Sequence, residues 1–282
     1  MAAVLGTNVA SLWASKNLQS AQSNMANSVE RLSSGLRINR ARDDAAGLGI
    51  SNALTQQINS ADQGVRNLND GISIAQTAEG AMAQASEMAQ RILTLAVQAT
   101  NGSLNTTQKN SIQAQMSALI TAIDSINTRT KFSDTTLLAG TTITIYTGSS
   151  TAESVSISSA ALATISSASG GLAATLSGWI TSASGTTNAA TYQSVATFAA
   201  DYITALDTQR GALGAIQNQM DYSVSNITEL SANLSSARSR VIDTDYATET
   251  SKLTKGQILQ QAATAMLAQA NQMPNVILSL LK

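Results

Sequence analysis

Residues 75–99, AQTAEGAMAQASEMAQRILTLAVQA, decide the fold. Ala75, Ala78, Met82, Ala85, Ala89, Ile92, Ala96 and Ala99 recur at steps of three or four, the seam of helices packed at shallow angles. A helix over 71–101 is about 46 Å long at 1.5 Å per residue, so the spacing predicts a rod and not a globule. The turn signal Asn101-Gly102-Ser103 ends it, and Ile112, Met116, Leu119, Ile123 and Ile126 restart the pattern, which predicts an α-hairpin. A further run passes through Leu206, Leu213, Ile216, Met220, Val224, Ile227, Leu230, Leu234 and Val241. Small alanines at these seams let helices approach closely, as in a slender antiparallel bundle.

Outward from the bundle, both ends of the chain read as bare amphipathic helices. Leu259, Ala262, Met266, Ala270, Met273, Ile277 and Leu280 form one stripe, separated by Gln and Asn. Leu5, Val9, Leu12, Leu18, Met25, Val29 and Leu32 form a looser one, with Trp13 its sole aromatic neighbour. Ordering a residue costs about 1–2 kcal/mol of backbone entropy, and a narrow stripe on a lone helix returns little of that. Each end therefore needs a partner surface. Pro274 falls inside the C-terminal pattern, where a kink or local interruption is expected.

Between Lys131 and Arg210 the chain has no basic residue, and between Asp134 and Asp201 its only acid is Glu153. Ile143 and Ile145 alternate with Thr142, Thr144 and Tyr146, while Val155 and Ile157 alternate with Ser154, Ser156 and Ser158. With Gly148-Ser149-Ser150 between them, these runs predict a β-hairpin. Ser169-Gly170-Gly171 and Ser184-Gly185-Thr186-Thr187-Asn188 mark loops downstream, so residues 160–190 read as a surface excursion.

Composition excludes several functions. With 16 basic and 17 acidic residues, the chain lacks the cationic excess that phosphate binding requires, and no nucleic-acid partner is expected. Cysteine and histidine are both absent, which removes disulfides, Ser-His-Asp triads, Cys-His pairs and His-ligated zinc. Gly47-Leu48-Gly49 lacks the third glycine of a dinucleotide fingerprint. Asp43-Asp44 reads as a helix start or an ion-pair acceptor for Arg40 or Arg42. No enzyme activity, cofactor or metal is expected. No apolar run is long enough to cross a bilayer, and the N-terminus lacks the pattern of a cleaved secretory signal, so no membrane association is expected.

Two stretches name a family. Glu30-Arg31-Leu32-Ser33-Ser34-Gly35-Leu36-Arg37-Ile38-Asn39, followed by Ala41-Arg42-Asp43-Asp44-Ala45-Ala46-Gly47-Leu48, closely resembles the N-terminal core of bacterial flagellins. So does the run from Leu234-Ser235-Ser236-Ala237-Arg238-Ser239-Arg240 through Asp245-Tyr246-Ala247-Thr248-Glu249 to Gln257-Ile258-Leu259-Gln260-Gln261-Ala262. Ala268-Gln269-Ala270-Asn271-Gln272, Pro274 and Leu278-Ser279-Leu280-Leu281 complete the match. The resemblance covers about residues 1–140 and 200–282 and omits the middle.

It implies a mainly α fold, a long antiparallel helical bundle with paired terminal helices and a small β-hairpin insert. Residues 1–44 and 240–282 are then the inner-tube helices, and 45–239 the bundle, with a short variable insert at about 140–200. The implied function is self-polymerisation into the flagellar filament, with a hook-filament junction protein as the alternative. The implied partners are further copies of the chain, an export chaperone, the filament cap and the hook-junction proteins. Export is through the flagellar type III channel, unfolded and without a cleaved signal peptide, to an extracellular site. Gln90, Arg91, Leu95 and Gln98 resemble the flagellin patch read by Toll-like receptor 5, with Gln115 on the facing helix. Residues 30–51 resemble the peptide sensed by a plant flagellin receptor.

Overall fold

The computed structural model describes residues 7–148, 150, 152–158, 177–178, 180–181 and 188–280, without the side chains of 273–280. Five long helices dominate it: α1 Val9–Ser34, α2 Ala45–Ala99, α3 Thr106–Arg129, α4 Ala189–Ile242 and α5 Tyr246–Leu280. Two antiparallel hairpins lie between α3 and α4 in the chain, β1 Lys131–Phe132 with β2 Thr135–Thr136, and β3 Ile143–Tyr146 with β4 Ser154–Ile157. The chain divides into two compact units, Met1–Gln56 with Asn233–Lys282, and Gln57–Ala232.

The second unit is the bundle. Helix α2 presents Ala75, Ala78, Met82, Ala85, Ala89, Ile92, Ala96 and Ala99 to its core, all but fully buried as the seven-residue pattern requires. From α3 come Ile112, Met116, Ile120 and Ile123, and from α4 Leu206, Leu213 and Met220. Glu79 receives the Gln217 amide at 3.0 Å and Ser231 donates to Asp62 at 3.0 Å, pairings that run α2 and α4 antiparallel. The α2–α3 turn falls at the expected Asn101-Gly102-Ser103. Asn105 then caps α3 in a reciprocal pair with Gln108, which satisfies two backbone donors that the first turn leaves free.

All three bundle helices exceed the apolar runs that announce them, because alanine, serine and glycine lengthen a buried stripe without marking it as hydrophobic. In α4 the extension adds Tyr192 and Tyr202 to the core, so the core is not exclusively aliphatic. Ile180 corrects the reading of 160–190 as pure surface. Its side chain is buried in the bundle core, and its carbonyl accepts from Gln113 Nε2 at 3.2 Å. Burial there takes an isoleucine of a polar stretch out of water. The loops at Gly170-Gly171 and Ser184–Asn188 lie outside the described residues, Asn188 excepted.

The predicted hairpin forms with Ile143 opposite Ile157 and Ile145 opposite Val155. Its buried face, Ile145, Val155 and Ile157, joins the bundle core. Two glycines of α2 seat it. A side chain at Gly64 would begin 1.9 Å from the Thr147 carbonyl oxygen, and one at Gly71 only 3.0 Å from Ile145. Asn67 Nδ2 donates to the Tyr146 carbonyl at 2.8 Å, which fixes the register of strand on helix. The shorter hairpin was not legible in sequence. Its turn uses Ser133 and Asp134 at φ 47° and 66° in place of glycine, and its strands have two residues each.

In the first unit, α1 starts at Asn8, whose side chain accepts from Ser11 N, and stops at Gly35 in the left-handed conformation (φ 73°). Asp44 opens α2 by accepting from Gly47 N at 2.8 Å, while Asp43 pairs with Arg42 at 3.7 Å. Arg40 pairs with Glu30 at 2.7 Å. The interruption expected at Pro274 does not occur: α5 continues to Leu280.

Candidate functional site: the outward face of the terminal helix pair

Helices α1 and α5 pack antiparallel, with Asn8 meeting Ala270 at one end and Ser28 meeting Glu249 at the other. The buried positions of α1 are Ala14, Ala21 and Ser28, seven residues apart. Opposite them α5 offers Glu249, Gly256, Ala263 and Ala270 at the same interval, Ala263 half-buried and the others buried. Apart from Glu249, both seams are therefore heptads of small residues, which let the backbones approach. At Gly256 an added Cβ would lie 3.5 Å from Met25 Cβ and 3.9 Å from the Ala21 carbonyl oxygen.

One polar cluster is buried in this seam. Ser28 Oγ donates to Glu249 Oε1 at 2.6 Å, Lys252 Nζ donates to Oε2 at 3.0 Å, and an Arg31 guanidinium nitrogen lies 3.9 Å from Oε2. Burial pushes the Glu249 carboxyl up, but the Ser28 hydroxyl and the Lys252 and Arg31 charges outweigh it and hold the group below its ordinary value. Below the cluster, the chain leaving α1 is tied to the α4–α5 junction. Arg37 N donates to the Ile242 carbonyl at 2.6 Å, and Thr244 N to the Gly35 carbonyl at 2.9 Å.

With small residues inside, the large apolar ones are left outside. Leu12 is 69 % exposed, Trp13 59 % and Met266 64 %. Val9, Val29, Tyr246, Ile258 and Leu259 are exposed as well. Trp13, Leu259 and Met266 border a groove of about 580 Å³ floored by Ala14, Ala21 and Ala270. Lys16 extends over the Trp13 ring, 5.4 Å from its centre, and covers little of it. Trp13, Leu259 and Met266 thus present apolar surface to solvent beside a seam of small residues.

The stripe read from sequence thus divides. Val9, Leu12, Val29, Leu259, Ala262 and Met266 face outward, and Leu18, Met25 and Leu32 are half-buried along the edge of the seam. Ala270 is a correction: it is buried against α1, because it continues the seven-residue interval from Glu249. Leu5 and the side chains of Met273, Ile277 and Leu280 lie outside the described residues. Trp13, Tyr246 and Ile258 belong to the outward face and were not in the stripe. Their apolar bulk beside small heptad residues was the available signal.

On the bundle, Gln90, Arg91 and Gln98 of α2 and Gln115 of α3 are exposed. Leu95 is a second correction, since it is 2 % exposed and forms core. Ile92, Leu95, Ala96 and Ala99 are all buried, so the stripe of α2 is wide enough for two neighbouring helices and includes the position three residues after Ile92 as well as the fourth. Among the described residues, no helix is long and apolar enough to cross a membrane, and no His, Cys, Asp or Glu cluster is placed to hold a metal ion.

Comparison with known proteins covers both ends. The model for the bacterial flagellin N-terminal helical region matches residues 5–142, and that for the C-terminal helical region matches residues 197–281. Flagellin B of Vibrio cholerae is 34% identical over 375 aligned positions, covering 100% of both chains. Flagellin of Bacillus subtilis strain 168 is 36% identical over 300 positions, with 98% of each chain covered. Flagellin of Halalkalibacterium halodurans is 36% identical over 283, covering 99% of this chain and 100% of its own.

Proposed function

The chain belongs to the bacterial flagellin family, and on that premise we propose that the outward face of α1 and α5 is the surface through which its copies polymerise. It is a structural subunit and not an enzyme: it self-assembles into the extracellular flagellar filament that drives swimming. The observation that carries the assembly surface is the inversion of side-chain size, with Ala, Gly and Ser in the seam and Leu12, Trp13, Leu259 and Met266 in solvent.

An alanine methyl buried at the seam gains about 0.8 kcal/mol, against about 1–2 kcal/mol lost per ordered residue. The pair alone therefore stabilises itself poorly, and neighbouring subunits supply the missing burial by covering the outer face. Residues 1–44 and 240–282 form the inner tube in this reading, and 45–239 the helical bundle with its β-hairpin and short variable insert at about 140–200. Export without a cleaved signal peptide, and capture by a chaperone, the filament cap and hook-junction proteins, follow from the same premise. Recognition by Toll-like receptor 5 would use Gln90, Arg91, Gln98 and Gln115, with Leu95 acting from beneath as packing. The match of residues 30–51 to the plant-sensed peptide supports the corresponding plant receptor.

Met266→Asp tests the assembly face. A carboxylate buried there without a partner costs several kcal/mol per subunit, so polymerisation should fail. Met266 is 64 % exposed in the single chain, so bundle melting should not move. Normal filaments from Met266→Asp would refute the assignment.

A further inference from the structure

A proline in a helix has no N–H for the carbonyl four residues earlier, and its ring crowds that carbonyl. In α5 the residue is Pro274, and the carbonyl it deprives is that of Ala270. Ala270 is 5 % exposed, so water offers little replacement. A buried carbonyl without a donor is costly, yet this one is satisfied: Asn8 Nδ2 donates to it at 2.7 Å. The same Asn8 side chain uses its oxygen to cap α1, accepting from Ser11 N at 3.1 Å. Beside it, Ser11 Oγ donates to Asn271 Oδ1 at 3.0 Å.

We infer that Asn8 and Pro274 form a register lock, in which proline exposes one carbonyl of α5 and the cap of α1 is the donor that takes it. Small-residue heptads specify register weakly, because a shift by one heptad places alanine or glycine opposite alanine again. Only one carbonyl along α5 lacks its helical donor through proline, since Pro274 is the only proline in the chain. Asn8 can meet that carbonyl in one register alone. At the other end, the Ser28–Glu249 bond at 2.6 Å requires the same alignment. The lock positions the outward side chains of both helices in a single pattern. Its consequence for filaments rests on the assembly face proposed above.

The experiment compares Asn8→Asp in the natural chain and in Pro274→Ala. Aspartate keeps the cap acceptor and replaces the donor with an oxygen. In the natural chain it should raise the critical concentration for filament growth about tenfold, the scale of one buried carbonyl left unpaired. With Pro274→Ala the Ala270 carbonyl recovers a helical donor, and the same change should raise it no more than about threefold. Asn8→Ser, which caps without donating across the seam and adds no charge, should repeat the difference. Equal effects in both backgrounds, or no effect in either, would overturn the lock. Met266→Asp decides the assembly face independently. If the natural chain formed no filaments, amide exchange over residues 9–34 would replace the readout: protection lost on Asn8→Asp only when Pro274 is present supports the lock, and equal loss overturns it.

Discussion

The bundle and the terminal pair use the same seven-residue period for opposite ends. In the bundle, Met82, Ile92, Met116, Ile123, Leu206 and Leu213 point inward and are almost wholly buried. In the pair, Ala14, Ala21, Gly256 and Ala270 point inward while Leu12, Trp13 and Met266 point outward. Periodicity therefore says that a helix has a partner, and residue size says whether that partner is sufficient. The bundle adds Met, Ile and Leu to the alanines of α2 and completes a core, whereas the terminal pair has no such large residues in its seam and leaves its apolar bulk in solvent.

The largest effect should come from truncating the bundle core. Ile92→Ala removes a fully buried side chain and should destabilise the bundle by about 2–5 kcal/mol, read by thermal or urea unfolding of the monomer. Met266→Ala, equally a loss of apolar bulk, should leave that unfolding unchanged and weaken polymerisation instead. Equal loss of bundle stability from both would erase the contrast.

Glycine sharpens it next. Gly64→Ala places a methyl 1.9 Å from a backbone oxygen of the hairpin, so the strands must lift, and a cost of about 1–3 kcal/mol is expected. Gly256→Ala meets nothing closer than 3.5 Å and removes a flexible helical residue, so it should be neutral or stabilising by up to about 1 kcal/mol. Filament melting after Gly256→Ala and monomer melting after Gly64→Ala measure the two; the reverse ranking would mean that the seams have been misidentified.

Acid should distinguish the regions more gently. Because the Glu249 carboxyl is held below its ordinary value, its contribution is fully present above the unfolded value of 4.5 and is lost as pH falls through the lower folded value. Protease protection of Arg31 and Lys252 in filaments should decline in that acid window, while bundle melting responds less. In Glu249→Gln the decline should flatten, and an unchanged acid profile would remove Glu249 from the account.

The smallest effect is expected from the insert. Replacing residues 160–176 with a Gly-Ser linker should leave filament yield and bundle melting within error. Extending the replacement to residue 190 removes the buried Ile180 and should lower the melting midpoint by several degrees.

Much of the molecule was legible in the order of its residues. The period of Ala75–Ala99, the turn at Asn101-Gly102, the alternation around Ile143–Ile157 and the two family stretches determined helix types, the hairpin and the filament role. These signals are local, and local spacing survives without knowledge of the partner. Tertiary structure decided which faces are buried. Ala270 and Met266 read as members of one stripe in want of a partner, and the fold buried the first and left the second in solvent; Leu95 read as part of a receptor patch and is core. The Ala270 carbonyl, deprived by a proline four residues ahead, found its donor in Asn8, 262 positions away in the chain. Sequence carries the period of a helix; burial and hydrogen-bond satisfaction belong to pairs of surfaces, and only the folded chain brings the second surface into place.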